Sequence, residues 1–310
     1  MAQPPCKQHK RGSATHHKAK ASNGSDSCSE LNTLTVRIVT DSASDIPQSL
    51  ADANNISIVP LSFRFGDEEF IDRQQLTVAQ FWERCGSSAV LPETAAPSPG
   101  QFEAEFRRLF SSGATGIVVI SLSSQLSATM QSAELAARAV AGDIPVRVVD
   151  SRSASMGQGI AAVACAKKAA SGASLDEVAA YANDLAARTQ VWAALDTLEN
   201  LKKGGRISGA KALFASALAI KPILQIKDGL IQEGGKQRTR SKAIALLIDT
   251  VKQAGAIENL SVLQAECDDV QEFVASLREF YSGEIMVSDI GAIIGSHTGP
   301  RAMGVTFHTK

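Results

Sequence analysis

Gly116-Ile117-Val118-Val119-Ile120-Ser121-Leu122-Ser123-Ser124-Gln125-Leu126-Ser127 decides how the rest of the chain reads. After Gly116, residues 117–120 form a β-branched apolar run, which predicts a strand buried on both faces. Hydroxyls follow at once. A helical pattern then begins, with Met130, Ala133, Ala137 and Val140 on one face. A strand that runs into small polar donors and then a helix marks the carboxyl end of a parallel strand, where open α/β sheets bind ligands. Capping by Ser124 or Ser127 would use a single serine. Four serines in the seven residues 121–127 favour a ligand over a cap alone.

The same alternation extends outward. Thr35–Val39 predicts a first strand ending in Thr40-Asp41-Ser42, and Pro47 opens a helix at a position where a missing N–H costs little. Residues 56–59 predict a second strand, and 61–65 with Gly66-Asp67 a hairpin arm. Helices are expected near 77–85 and 101–112, the latter with Phe102, Phe106 and Leu109 at helical spacing. Pro145–Val149 predicts a strand ending in Asp150-Ser151. This alternation is the signature of a parallel sheet covered on both faces.

The pattern changes after about residue 160. Alanine-rich helices near 158–171 and 175–188 precede a polar loop at 202–209. A hairpin over 223–231 follows, with Asp228-Gly229 at its turn, and then mixed strand and helix segments run to 308. The expected organisation is a disordered basic tail at 1–33, an amino-terminal α/β domain at 34–157 and a mixed-sheet α/β domain at 158–310.

Composition narrows the function. Lys plus Arg number 31 against 32 Asp plus Glu, and aromatics are 5%. That balance offers no field for nucleic acid or anionic membrane and little for base stacking. No apolar run reaches the length of a membrane span, so no stable membrane insertion is expected. The five cysteines are scattered and without a CxxC pair. They fit a cytoplasmic location better than a disulfide framework. No phosphate-binding glycine loop, G-x-S-x-G elbow or H-E-x-x-H occurs, so neither a metal nor a cofactor is expected.

Polar groups gather in four segments: Thr40–Ser42, Pro92–Gly100, Ser121–Ser127 and Gly295–Pro300. Repeated prolines stiffen the second and hold Thr94 in place; equally, the segment reads as a connector with Ser98 capping the next helix. His297 lies between Gly295 and Gly299, which would let backbone approach a ligand. A lone histidine is otherwise more often structural. Arg206 and Arg238 sit in two basic loops that read either as an anion or acidic-partner site or as solvated surface.

Thr40-Asp41-Ser42, Thr94-x-x-Pro97-Ser98, Leu122-Ser123-Ser124-x-Leu126-Ser127, Val149-Asp150-Ser151, Leu201–Ile207, Lys221–Leu224 and His297-Thr298-Gly299-Pro300, in this order, resemble the DegV family. That family includes the FakB carrier subunits of bacterial fatty acid kinase. The resemblance runs from about Val36 to Val305. It implies an α/β fold of two domains, Rossmann-like and parallel in the first, with a mixed six-stranded sheet in the second. A long-chain fatty acid would lie between them. Its carboxylate would meet Thr94, Ser124 and His297, with Ser123 and Thr298 adjoining. A separate ATP-binding fatty acid kinase would phosphorylate that carboxylate on the carrier, so the chain itself would be no enzyme and have no catalytic residue. Arg206 and Arg238 would dock the kinase. Glu93, Ala95, Ala128 and Arg301 depart from the family pattern, and whether Arg301 meets the carboxylate or the incoming phosphate is left open. The rival functions are a stand-alone acyl hydrolase using Ser124 and His297, and a lipid-responsive sensor.

Overall fold

The structure is a computed structural model that describes residues 35–207 and 220–310. The tail expected at 1–33, like Ser208 and Gly209 of the basic loop, lies outside the described residues.

The first half runs β1 (Val36–Asp41), α1 (Gln48–Ala53), β2 (Ile56–Val59), β3 (Ser62–Phe65), β4 (Glu68–Ile71), α2 (Val78–Ser87), β5 (Glu93–Ala95), α3 (Pro99–Ser111), β6 (Gly116–Ser121), α4 (Thr129–Ala139) and β7 (Val146–Asp150). Strands β2-β1-β6-β7 form a parallel four-stranded sheet in that order. All six residues of β6 are buried, as its unbroken apolar run requires. Helix α3 begins where Ser98 and Gln101 form a reciprocal cap and Pro99 fills the first turn. Its Phe102, Phe106 and Leu109 are fully buried against the sheet.

The second half runs α5 (Met156–Ala170), α6 (Leu175–Arg188), β8 (Thr189–Ala194), α7 (Glu199–Lys203), β9 (Lys221–Lys227), β10 (Leu230–Gln237), α8 (Arg240–Gln253), β11 (Ile257–Gln264), α9 (Val270–Arg278), β12 (Met286–Asp289), α10 (Ala292–Thr298) and β13 (Met303–Thr309). Six strands form a mixed sheet, β10-β9-β8-β13-β11-β12, in which β11 and β12 pair in parallel and the others antiparallel. Asp228 and Gly229 both take positive φ, 53° and 78°, as an Asp-Gly hairpin turn demands. The boundary expected at 157/158 falls in the first turn of α5, which packs against β1 and β6 on one side and β11 and β13 on the other.

Two segments differ from expectation. The proline stretch contains β5, which pairs with β3 so that Thr94 lies opposite Phe63 in a sheet ordered β4-β3-β5. Proline-enforced extended geometry suits a short edge strand as well as a loop. The loop expected at 202–209 begins inside α7.

At the carboxyl ends of the parallel strands lies a buried polar layer. Asp41 accepts from Leu122 N at 2.8 Å, Gln158 Nε2 at 2.8 Å and Ala43 N at 3.1 Å. It therefore fills the crevice between β1 and β6, the topological switch point where such sheets commonly hold a ligand. Asp45 reaches the second half, accepting from Gly291 N at 2.9 Å and Ser155 Oγ at 2.5 Å, while Ser288 Oγ donates to its backbone carbonyl at 2.5 Å.

Burial pushes the Asp45 carboxyl up to about 7 and those of Asp41 and Asp72 up to about 6, against the pull of their hydrogen bonds. Carboxyls of an unfolded chain titrate at about 4. The folded state therefore keeps protons that the unfolded chain has lost, and this stability is full below about pH 4 and fades as pH rises through about 7. Burial holds His297 and His308 down at about 4. Their contribution is full above about pH 6.5 and fades as pH falls. Between about pH 6 and 8 the carboxyl loss and the histidine gain oppose each other, and Asp45, with the highest raised value, supplies the largest single loss. In urea denaturation Asp45→Asn, which keeps an acceptor for Gly291 N, should therefore gain roughly 1 kcal/mol relative to wild type from about pH 6 to 8; a difference between the two proteins that does not change with pH would assign the titration to another group.

Candidate functional site

Between the parallel sheet and the inner face of the six-stranded sheet lies an apolar cavity of about 120 Å³. At the roughly 10–15 Å³ needed per water-sized sphere, it has room for on the order of ten methylene-sized groups. Leu61 and Leu122 wall it from the first half. Leu224 and Leu263 line the sheet side, and Ile290 and Ile293 the side of α10. Gly304 on β13 lines it too, where an added Cβ would come within 2.9 Å of the Trp192 carbonyl.

Polar groups collect at one part of this wall: Thr94, Ser127, Arg206, His297 and Thr298. Thr94 Oγ1 lies 3.0 Å from His297 Nε2, joining residues 203 positions apart. Nδ1 of His297 is buried and has no hydrogen-bond partner among the described residues. It faces Gly204, whose Cβ, if present, would lie 2.2 Å away. Burial, and then the neighbouring Arg206 charge, lowers the His297 pKa to about 4. The imidazole is therefore neutral at pH 7 and serves as a hydrogen-bonding group rather than a cation. Arg206 is held by Leu126 O at 3.2 Å and Gly204 O at 2.5 Å.

The glycines beside His297 have a different role from the one expected. Gly295 admits Trp82 and Phe81, and Gly299 admits Asn200; Asn200 Nδ2 also donates to Ser296 O at 3.2 Å. They let α2 and α7 pack on α10 and thereby aim its last side chains.

The serine cluster, expected to bring Ser123 and Ser124 to a carboxylate, divides. Ser123 is fully buried and donates to Gly229 O at 2.7 Å, tying the cluster to the β9–β10 turn. Ser124 is exposed and donates to Asp150 Oδ2 at 2.6 Å. Neither lines the cavity, because the turn directly after β6 points these two side chains sideways and outward. Ser127, one turn later, does line it. Ser124 and His297 thus engage different partners, and the dyad an acyl hydrolase would use is not assembled. Arg301 pairs with Asp268 at 3.0 Å and approaches Asp196 at 3.7 Å; it is absent from the cavity wall. Glu93 pairs with Arg64 at 2.6 Å on the surface. Arg238 is exposed between β10 and α8.

Spacing alone separated neither Ser127 from Ser124 nor a cavity-lining Arg206 from a docking one. Among the described residues no cluster of three or more His, Cys, Asp or Glu is placed to hold a metal, and no helix is long and apolar enough to cross a membrane.

Residues 35–310 match the family model described as "Uncharacterised protein, DegV family". A DegV domain-containing protein of Streptomyces coelicolor is 38% identical over 280 residues, covering 89% of this chain and 99% of its own length. Among solved structures, a DegV family protein from Thermus thermophilus, described for its fatty acid binding, matches with a TM-score of 0.80 at 32% identity, covering 89% of this chain and 100% of that one. A Thermotoga maritima protein described as revealing a fatty acid binding function matches with a TM-score of 0.78 at 28% identity, covering 89% of this chain and 100% of that one. The matched span contains both sheets and the five polar residues gathered at one part of the cavity wall, and the chain belongs to the DegV family.

Proposed function

We propose that this protein binds a long-chain fatty acid between its lobes, 34–157 and 158–310, and presents the carboxylate to a separate ATP-dependent fatty acid kinase. The observation that carries this reading is the cavity itself: apolar along most of its wall, with Thr94, Ser127, His297 and Arg206 gathered at one part. About ten buried methylenes at about 0.8 kcal/mol each contribute roughly 8 kcal/mol. Association costs about 4 kcal/mol or more, so the tail carries the affinity and the head-group residues fix where the carboxylate stops.

The head-group chemistry follows from the imidazole. With its hydrogen on Nε2, His297 donates to Thr94 Oγ1 and leaves a bare lone pair at the unpartnered Nδ1. The Thr94 hydroxyl proton is then free to point at a ligand oxygen. Hydroxyl donors orient a carboxylate without covering every lone pair, so one oxygen stays available as a nucleophile. Exposed Arg238 is the outward-facing member of the two arginines assigned to kinase docking. Arg206 lines the cavity.

Organic extraction of purified protein followed by mass spectrometry should release a long-chain fatty acid; protein that neither carries nor takes up an acyl chain would end this reading. Thr94→Val should weaken fatty acid binding by no more than about tenfold, the worth of one hydrogen bond, and should cut acyl phosphate formation with a cognate kinase by a larger factor. Equal losses in both assays would mean that Thr94 serves retention alone. Arg238→Ala should leave fatty acid binding unchanged while raising the carrier concentration needed for half-maximal kinase rate.

A further inference from the structure

The described residues of the cavity wall include one permanent charge, and none of them neutralises it. Of the described residues lining the cavity, only Arg206 carries a permanent charge, and no Asp or Glu is among them. Its hydrogen bonds go to two backbone carbonyls, Leu126 O through Nε and Gly204 O through Nη1. It forms no ion pair with any described residue. A guanidinium carries five N–H donors in a planar fork. Two are engaged by the carbonyls, which fix its plane, and three are left over. A half-buried cation held in place by neutral acceptors, beside an otherwise apolar cavity, is an incomplete ion pair.

The neighbours do not complete it. His297 is neutral near pH 7 and sits close enough for Arg206 to depress its protonation. Thr94, Ser127 and Thr298 offer hydroxyls without charge. A fatty acid carboxylate entering among these groups would meet hydrogen bonds from the hydroxyls and compensation of its charge from Arg206 alone.

We infer that Arg206 is the residue that reads the charge of the lipid head group, restricting the cavity to ionised acyl chains and excluding neutral esters and alcohols of the same length. This inference rests on the fatty-acid reading above and gives Arg206 a role inside the cavity, separate from any docking of a kinase. It also fits an acyl phosphate, whose anionic head keeps the same partner after phosphoryl transfer.

The test uses the full-length protein, stripped of lipid, with palmitate and methyl palmitate as probes. Wild type should bind the acid about 10- to 100-fold more tightly than the ester. Arg206→Gln should bring the two affinities together by weakening the acid and sparing the ester. Arg206→Lys should keep part of the preference. Carbon NMR of carboxyl-labelled palmitate gives a second readout that loss of packing would not produce. Bound to wild type the carboxyl should stay ionised into mildly acidic solution, and in Arg206→Gln it should take up its proton at least about one pH unit higher. An acid-to-ester ratio and carboxyl titration in Arg206→Gln equal to those of wild type would overturn the inference. Failure of wild type to bind either probe would instead overturn the fatty-acid reading on which it stands.

Discussion

Asp45 joins the lobes through the element that positions the candidate site. Its carboxylate caps Gly291, the residue before α10, and α10 ends at His297 and Thr298. The other carboxylate oxygen accepts from Ser155, which itself lines the cavity. Lobe docking and cavity shape therefore share atoms. Two apolar faces brought together freely would interdigitate until no void remained. Here directional contacts fix their separation: the Asp45 bonds, Ser123 to Gly229 O, and Trp82 Nε1 to Ile290 O at 3.1 Å. A gap held by such contacts can stay open and lined by leucine and isoleucine. The cost is three buried carboxyls with raised pKa values.

The position of His297 depends on contacts behind it as well as in front. Gly204, Gly295 and Gly299 let neighbouring elements approach α10 more closely than any side chain would allow. Beyond α10, Arg240 makes a two-pronged pair with Asp269 at 2.6 and 2.7 Å and donates to Arg301 O at 2.7 Å. Arg301 in turn holds Asp268. Isolated surface pairs contribute little, whereas a network with a bidentate arginine is a stronger anchor. Arg301, with φ at 61°, is thus a structural residue of the turn between α10 and β13.

The alternating elements were legible because each rests on local chemistry: an apolar run for β6, a reciprocal cap for α3, an Asp-Gly turn for β9–β10. Strand β5 was not, since its pairing with β3 depends on a partner about thirty residues away and its own three residues carry no period. The site was legible by region and partly by residue. Thr94 and His297, both expected at one head group, lie in hydrogen-bonding contact. Ser127 rather than Ser124 lines the cavity with them, because the orientation of side chains in the turn after β6 is set by Asp150 and by the distant Gly229 carbonyl. Arg206 was visible as a basic residue in a glycine loop. Its inward placement depends on Gly204 O and Leu126 O, which no reading of charge runs supplies.

These placements bear on whether the site performs chemistry or offers a substrate for it. A hydrolase needs a nucleophile within reach of a base and an orienting third group. Here the imidazole is neutral, as a base must be, but its Nε2 pairs with a threonine rather than Ser124, and its Nδ1 meets no orienting carboxylate among the described residues. The serine with an acidic partner, Ser124 on Asp150, lies outside the cavity. Among the described residues the cavity wall offers hydroxyls, the Gln225 amide, one uncharged imidazole and one fixed cation, a set that can hold an anion in a defined orientation.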